Sequence, residues 1–139
     1  MKRQKRKRVL FVCVGNCCRS QMAEGFATHH GNDVVKAESA GLAPAGVVVD
    51  QTVRSMSGKN IDISGHYSKA FRLDEANDFD LIVNMSGYSL PKGVRVPVTQ
   101  WDIPDPIGES DQFYARVRDQ IERLVVKLVA DLRGQSTKA

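Results

Sequence analysis

Residues 9–25 read V-L-F-V-C-V-G-N-C-C-R-S-Q-M-A-E-G, and the architecture of the chain can be predicted from this segment outward. Residues 9–14 form a continuous apolar run, which is typical of a strand buried on both faces of a sheet. A glycine and an asparagine then interrupt the run. Residues 20–30 predict a helix that ends at Gly31, because apolar side chains recur there at helical spacing. A buried strand that leads through a short loop into a helix is the first unit of an α/β fold.

Strand and helix patterns continue to alternate along the rest of the chain. Further strands are predicted at residues 34–40, 80–85 and 94–98, and a short helix at residues 50–58. From Phe113 to Leu132, apolar residues recur at helical spacing and predict a long amphipathic helix. The expected fold class is α/β, a small four-stranded parallel sheet flanked by helices on both faces. In such sheets ligands bind beyond the carboxyl ends of the strands, and the first strand ends at Cys13.

The 139 residues carry a net charge of +4, which is concentrated at the start of the chain. Six of the 20 lysines and arginines lie within residues 2–8, so the remainder carries a net charge of −2. We therefore expect a basic N-terminal arm, residues 1–8, followed by a single domain, residues 9–139. These totals do not support specific nucleic-acid binding. A salt-sensitive, sequence-blind association of the arm with polyanions stays open.

Cysteine usage and hydropathy predict a cytoplasmic location. The three cysteines, Cys13, Cys17 and Cys18, lie within six residues of one another, whereas a disulfide-stapled secreted domain spreads an even number along its chain. The apolar run after the basic start is too short for a signal peptide or a membrane-spanning helix, so no membrane partner is expected. Clustered thiols in a reducing compartment indicate reactivity.

The loop between the first strand and the first helix has the composition of an oxyanion site. Backbone N–H groups at a helix N-terminus can turn inward around a tetrahedral anion. The residues expected to bind that anion are Val14, Gly15, Asn16, Cys17, Cys18 and Arg19. Glycine and asparagine tolerate the positive φ that such a loop needs, and arginine grips two oxygens with its planar fork. The same donors favour a thiolate nucleophile at Cys13, to which Ser20 can donate a hydrogen bond.

Other interpretations of this loop fit less well. The nucleotide-binding patterns G-x-x-x-x-G-K-[ST] and G-x-G-x-x-G are absent from the sequence. A zinc site that joined the cysteines to His29 and His30 would have ligand spacings of no standard pattern, so no metal is expected. A buried, inert thiol is the common role of a single cysteine. An arginine six residues after Cys13 and a helix directly after it favour chemistry instead.

The quoted stretch resembles the signature of the low-molecular-weight protein tyrosine phosphatases and of the thioredoxin-type arsenate reductases built on the same fold. Further matching motifs follow in order, namely E-S-A-G at 38–41, I-D-I-S-G-H at 61–66, D-L-I-V-N-M at 80–85 and D-P at 105–106. The resemblance therefore covers nearly the whole chain, from Val9 to about Leu132.

The resemblance implies a role for each matching residue. Cys13 would form a cysteinyl-phosphate, Arg19 would bind the phosphoryl oxygens, and Asp105 would act as general acid and then as general base. Four residues would hold the loop and the thiolate in place, namely Asn16, Ser20, Ser39 and His66. Cys18 would be a redox residue that closes a reversible disulfide with Cys13 and protects it from over-oxidation. No cofactor is implied.

The two branches of the resemblance predict different reactions. The thioredoxin-coupled reductases pass a disulfide to two cysteines after the third strand, but residues 84–93 contain no cysteine and Ser86 stands at the first expected position. Residues 42–46 and 107–108 lack the aromatic side chains of phosphotyrosine-specific members. From the site chemistry we expect a phosphatase that hydrolyses phosphate monoesters, phosphoproteins among them, through a cysteinyl-phosphate. The alternatives are an arsenate reductase that uses an external low-molecular-weight thiol, and a non-catalytic oxyanion-binding module.

Overall fold

A computed structural model describes residues 5–136 as one parallel sheet with helices on both faces. The strands are β1 (Lys7–Cys13), β2 (Val35–Gly41), β3 (Leu81–Asn84) and β4 (Val98–Gln100). The helices are α1 (Arg19–Gly31), α2 (Asp50–Ser57), α3 (Leu73–Ala76) and α4 (Asp111–Ser136). The strand order is β2-β1-β3-β4, and every pairing is parallel. The predicted fold class is confirmed.

β1 occupies the interior of the sheet because its side chains are apolar on both faces. Val9 and Phe11 are fully buried in the larger core, which includes the apolar stripes of α1 and α4. Leu10 and Val12 contribute to a smaller core on the opposite face, where α3 and its neighbouring loops cover the sheet. Full burial of an aliphatic or aromatic side chain of this size contributes roughly 1.5–3 kcal/mol to folding. The two cores together hold the carboxyl end of β1 in place.

The register of the sheet places Cys13 between two neighbouring strand ends. Cys13 pairs with Gly41 at the end of β2, and Val12 pairs with Asn84 at the end of β3. Gly41 is required at its position, because a Cβ there would lie 2.7 Å from the carbonyl oxygen of Val14. The loop after β1 therefore lies directly against the carboxyl end of β2.

The first strand begins earlier than predicted. β1 begins at Lys7, two residues before the expected start, because both the backbone and the side chain of Arg8 find partners within the fold. The backbone N–H of Arg8 donates to Asp80 (2.8 Å), and its guanidinium lies 4.4 Å from the centre of the Phe79 ring and 3.3 Å from a carboxylate oxygen of Glu38. Residues 1–4 of the predicted arm lie outside the described residues.

The fourth strand was predicted at residues 94–98, and this is wrong because β4 begins at Val98. Val94 and Val96 pack against the smaller core from a loop, which explains their apolar character without a strand. The short helix α3 has no counterpart in the predicted elements. Across residues 5–136, no helix has both the length and the apolar composition that crossing a membrane requires.

Candidate active site

The loop between β1 and α1 is held from outside by hydrogen bonds to its carbonyl groups. Four of these carbonyl groups accept from backbone N–H groups in the segment between β2 and α2. The pairs, donor first, are Leu42 and Cys13 (3.1 Å), Ala43 and Val14 (2.8 Å), Ala45 and Gly15 (2.9 Å), and Val49 and Cys17 (3.2 Å). Gln21 Nε2 donates to the carbonyl of Asn16 (3.1 Å), and the N–H of Met22 to that of Cys18 (2.9 Å). Because the carbonyl groups are directed outward, the amide N–H groups of the loop are left to face its interior.

Asn16 and Ser20 form a hydrogen-bonded chain that ends on the sulfur of Cys13. Asn16 adopts a φ of 48°, in the left-handed region that asparagine tolerates. Its Nδ2 donates to Oγ of Ser20 (2.7 Å), and that oxygen lies 2.9 Å from Sγ of Cys13. Since the hydroxyl oxygen already accepts from Asn16, its proton is free to point at Cys13. Donation from Ser20 to the thiolate stays a prediction that this arrangement allows, and all three side chains are buried.

Gln21 is a buried residue of the site that the sequence did not single out. Its Nε2 reaches the backbone and side-chain oxygens of Asn16, and its Oε1 lies 2.9 Å from Nδ1 of His66. The quoted motif contains Gln21, but a glutamine near the start of a helix carries no chemical signal by itself. Gln21 therefore links His66 to the loop.

Ser39 and His66 meet around Glu24 rather than on the loop itself. Ser39 Oγ donates to Oε1 of Glu24 (2.5 Å), and the other carboxylate oxygen of Glu24 lies 3.9 Å from Nε2 of His66. His66 connects through Gln21 to Asn16, whereas Ser39 touches no atom of residues 13–19 through a described hydrogen bond. The structure thus brings these two predicted supporting residues together one layer behind the loop.

Arg19 uses part of its guanidinium to hold the site together. Nη1 donates to the carbonyl oxygens of Met85 (2.7 Å) and Ile103 (3.0 Å), which follow β3 and β4. Nε is buried and has no hydrogen-bond partner among residues 5–136. A buried donor without a partner is costly unless a ligand satisfies it. Arg19 therefore ties three loops together and leaves Nε without a partner among residues 5–136.

Asp105 lies at the edge of the loop, on the segment that leads from β4 to α4. One carboxylate oxygen is 3.9 Å from Nη2 of Arg19, and the other is 3.8 Å from Sγ of Cys18. The N–H of Ile107 donates to the same oxygen that faces Cys18 (3.1 Å). The side chain is 53% exposed, so solvent can exchange a proton with it. The position suits proton transfer at the mouth of the loop.

Cys17 and Cys18 have opposite thiol pKa shifts because they share one hydrogen bond. The hydrogen bond from Cys18 lowers the pKa of the half-buried Cys17 thiol to about 7. The same hydrogen bond, with burial, raises the pKa of Cys18 well above its ordinary value. The buried Tyr114, which hydrogen-bonds to Thr52 (2.6 Å), also has a raised pKa because burial disfavours the phenolate. Cys17 is thus the more acidic thiol of the pair.

The histidines of α1 do not join the cysteines. His29 is exposed, and His30 lies 2.8 Å from a carboxylate oxygen of Glu122 in α4. Over the described part of the chain, residues 5–136, no three side chains of the metal-ligating types come together.

Fold and site together define a cysteine-dependent enzyme, with one buried thiol at the start of a densely hydrogen-bonded loop at the carboxyl end of a parallel sheet. The family model for "Low molecular weight phosphotyrosine protein phosphatase" matches residues 8–138. The chain belongs to this family.

Three known proteins illustrate where the chain lies within the family. It is 37% identical over 134 residues to the glutaredoxin arsenate reductase of Synechocystis sp. (strain ATCC 27184 / PCC 6803 / Kazusa), covering 91% of this chain and 98% of that protein. It is 36% identical over 125 residues to the arsenate reductase of Bacillus subtilis (strain 168), covering 83% and 89%. The solved structure "An arsenate reductase in the phosphate binding state" superposes with a TM-score of 0.80 at 33% identity, covering 91% and 98%.

These relatives overturn the preference for a phosphatase. The reading from site chemistry is wrong, and the arsenate reductase alternative is better supported, because relatives at 33–37% identity are named arsenate reductases. The oxyanion loop and the nucleophile are common to both reactions, so they could not distinguish them. The small residues at 42–46, which lack the aromatic side chains of phosphotyrosine-specific members, agree with this correction.

Proposed function

We propose that the protein is an arsenate reductase that draws its electrons from an external low-molecular-weight thiol. The observation that carries this proposal is the position of the cysteines. All three lie within residues 13–18, in or beside the oxyanion loop, and the sequence contains none after Cys18. A relay of cysteines on the loop after β3 is therefore excluded, and a thiol from outside has to complete the reaction. We place the reaction in the reducing cytoplasm, where such thiols are kept reduced.

In the first step the thiolate of Cys13 attacks arsenate bound in the loop. A sulfur–arsenic bond forms, an arsenic–oxygen bond breaks, and the departing hydroxyl takes one proton to leave as water. Arg19 and the loop amides stabilise the charge on the remaining oxygens. The side chain of Asp105 lies at the mouth of the loop and supplies the proton. Arsenic is still pentavalent in this adduct.

In the second step a thiolate of the external reductant attacks the sulfur of Cys13. A disulfide forms, the sulfur–arsenic bond breaks, and its electron pair stays on arsenic, which is reduced from the pentavalent to the trivalent state. Arsenite leaves after taking up three protons. A second molecule of the thiol then attacks the mixed disulfide, which releases the Cys13 thiolate and the oxidised thiol. Two thiols are thereby oxidised for each arsenate reduced.

The test is a coupled measurement of arsenite and disulfide formation. Reduced protein is mixed with arsenate and one small thiol at a time, and both products are quantified. We expect one arsenite for each disulfide, with no product when arsenate is omitted. Replacement of the nucleophile in Cys13→Ser is expected to lower the rate at least about a thousandfold, as loss of a covalent nucleophile does elsewhere.

Cys17→Ser serves as the matched control, since it removes a thiol of the same loop but not the nucleophile. Activity of Cys13→Ser close to that of the parent protein would contradict the assignment. Absence of arsenite with every thiol in the panel, under conditions where arsenate binds, would contradict the proposed function.

A further inference from the structure

Cys17 and Cys18 are two neighbouring thiols that no step of the proposed reaction uses. Both are free, and they lie in the oxyanion loop, between Cys13 and the start of α1. A hydrogen bond between the two thiols brings their sulfur atoms together. Two sulfur atoms in contact can bind one ligand atom jointly, which a single thiol cannot do.

The two thiols are poorly placed to form a disulfide with each other. The peptide bond between them is trans, which sets consecutive Cα atoms about 3.8 Å apart. The Cα atoms of disulfide-linked cysteines usually lie about 4.4–6.8 Å apart, and departures from this range store strain. An atom placed between the two sulfurs lengthens the bridge and relieves that strain. The pair therefore favours a bridging ligand over a direct bond between the sulfurs.

Solvent reaches the pair from the side of Cys17. Cys17 is partly exposed, whereas Cys18 is buried. A carboxylate oxygen of Asp105, which lies at the mouth of the loop, is 3.8 Å from Sγ of Cys18, and the charge of this carboxylate acts on both thiols. A ligand that binds the sulfur of Cys17 is therefore already beside the sulfur of Cys18.

The number and the kind of the donors select the ligand. Among residues 5–136 no three side chains of the metal-ligating types come together, so the pair does not complete the four-coordinate site that zinc requires. Thiolates are soft ligands and favour soft partners. Trivalent arsenic is soft and takes three ligands, of which a hydroxyl that it already carries supplies one. Arsenite therefore fits two thiols better than zinc does.

We propose that Cys17 and Cys18 form a binding site for arsenite, which bridges the two sulfur atoms. The sulfur of Cys17 displaces one hydroxyl from arsenic, and the sulfur of Cys18 displaces a second. Two S–H bonds and two As–O bonds break, two As–S bonds form, and each displaced hydroxyl takes a proton and leaves as water. Arsenic stays trivalent, and no electrons are transferred. The site goes beyond the proposed function, because arsenite added from solution binds without turnover.

Cys17 is suited to bind arsenite first. The hydrogen bond from Cys18 lowers the pKa of the Cys17 thiol to about 7, so the reactive thiolate is well populated near neutral pH. Once arsenic is attached to Cys17, the bond to Cys18 forms within one molecule and at a high effective concentration. Loss of either sulfur is therefore expected to weaken arsenite binding about a hundredfold or more.

Arsenite binding to Cys13→Ser tests the site directly, because Cys17 and Cys18 are the two thiols that remain in this variant. Sodium arsenite is added to the reduced protein after its reductant has been removed, and the mass of the intact protein is measured. We expect the mass to increase by one arsenite less two waters, which shows that two bonds to arsenic have formed. An increase of one arsenite less one water, or no increase, would overturn the proposal.

Serine at either residue removes one sulfur and keeps a hydrogen-bonding group in its place. In the Cys13→Ser background, Cys17→Ser and Cys18→Ser are each expected to raise Kd for arsenite about a hundredfold or more, measured by equilibrium dialysis. The parent protein is the control and should bind arsenite as tightly as Cys13→Ser does. Binding by the parent that disappears in Cys13→Ser would place arsenite on the nucleophile and overturn the proposal.

The arsenite site and the proposed function can fail separately. Failure to form arsenite from arsenate with any external thiol would contradict the proposed function, and arsenite added to Cys13→Ser would still bind. Failure of Cys13→Ser to bind added arsenite would contradict the site, whatever the rate of arsenate reduction by the parent protein. The mass measurement uses Cys13→Ser alone, so its outcome does not depend on whether the variants with a single thiol fold.

Discussion

Two loops at the same end of the sheet contribute to the site, and they are held very differently. In residues 13–18 every backbone carbonyl accepts a hydrogen bond, and Asn16 and Ser20 are completely buried. In the segment after β4, Asp105 is 53% exposed and lies 3.9 Å from Arg19. The first loop is therefore held rigidly by its surroundings, whereas the second leaves its carboxyl group open to solvent. We propose that the first loop holds the anion and that the second supplies a proton, and each role can be tested by itself.

The largest effect is expected from Arg19→Lys, which keeps the charge and removes the planar fork. Lysine cannot bridge the carbonyl groups of Met85 and Ile103 while also binding an anion. We expect kcat/KM for arsenate to fall roughly a hundredfold to a thousandfold. The affinity for inorganic phosphate, measured by calorimetry, should fall with it.

Arg72→Lys is the control for that change, since Arg72 is an exposed arginine paired only loosely with Glu75 at 3.4 Å. It should leave both measurements unaltered. If kcat/KM for arsenate fell less than tenfold in Arg19→Lys, a positive charge alone would suffice for anion binding at this position. The fixed geometry of the first loop would then not distinguish it from the second.

The next effect is expected from Asp105→Asn, which removes the proton donor and keeps the shape of the side chain. The rate of arsenate reduction should fall about a hundredfold or more, in the range of general acid catalysis. Phosphate affinity should stay within about fivefold, because a half-exposed contact at 3.9 Å contributes little to holding the anion. Steady-state kinetics and phosphate titration together measure this separation.

Glu109→Gln provides the comparison, as it neutralises an exposed carboxylate of the same segment. If Asp105→Asn weakened phosphate binding as strongly as it slowed the reaction, the main role of Asp105 would be to bind the anion rather than to donate a proton. That outcome would merge the two regions that the structure keeps apart.

A smaller effect is expected from Gly41→Ala, which tests the close approach between β2 and the oxyanion loop. The added Cβ would lie 2.7 Å from the carbonyl oxygen of Val14 and 2.9 Å from the amide nitrogen of Asn16. Backbone atoms cannot rotate away as a side chain does, so the loop has to shift. We expect a loss of about 1–3 kcal/mol in the free energy of unfolding, measured in urea, and weaker phosphate binding.

Gly65→Ala is the matched control, because no atom beyond the neighbouring residues of the chain lies within 4 Å of its added Cβ. Its free energy of unfolding should stay within about 0.5 kcal/mol of the parent. Equal stability and equal phosphate binding in Gly41→Ala and the parent would mean that the loop tolerates displacement, contrary to its dense hydrogen bonding.

The difference between the two loops also explains what the sequence could predict. The oxyanion loop is local, since strand, turn, arginine and helix start are contiguous in residues 9–20, and pattern alone therefore predicted its elements. Gln21 was missed because its role depends on contacts with His66 and Tyr67, which are more than 40 residues away. β4 was misplaced because its three residues are all exposed and pair with β3 alone, so they carry no apolar signature. Reaction class was misjudged because both chemistries use the same local loop.

The smallest effect on turnover is expected at Cys17, where the structure predicts an acidic but dispensable thiol. Its pKa is lowered to about 7 because Cys18 donates a hydrogen bond to it. Cys13→Ser combined with Cys18→Ala leaves Cys17 as the single cysteine, so its alkylation by iodoacetamide can be followed without ambiguity. The thiolate is the reactive form of Cys17. In a protein that keeps Cys18, the alkylation rate of Cys17 should therefore fall about tenfold for each pH unit below this pKa.

A comparison of serine with alanine at residue 18 tests whether the hydrogen bond from Cys18 causes the lowered pKa of Cys17. Cys13→Ser with Cys18→Ser retains a donor at residue 18, so the alkylation midpoint should stay near the pKa of about 7 that we expect beside the native Cys18 thiol. Cys13→Ser with Cys18→Ala removes the donor, and the midpoint should rise toward the ordinary cysteine value. Identical midpoints in the two variants would assign the acidity to Arg19 and the loop amides instead. The oxyanion loop would then control the ionisation of its outer thiol by its own field, with no help from the neighbouring side chain.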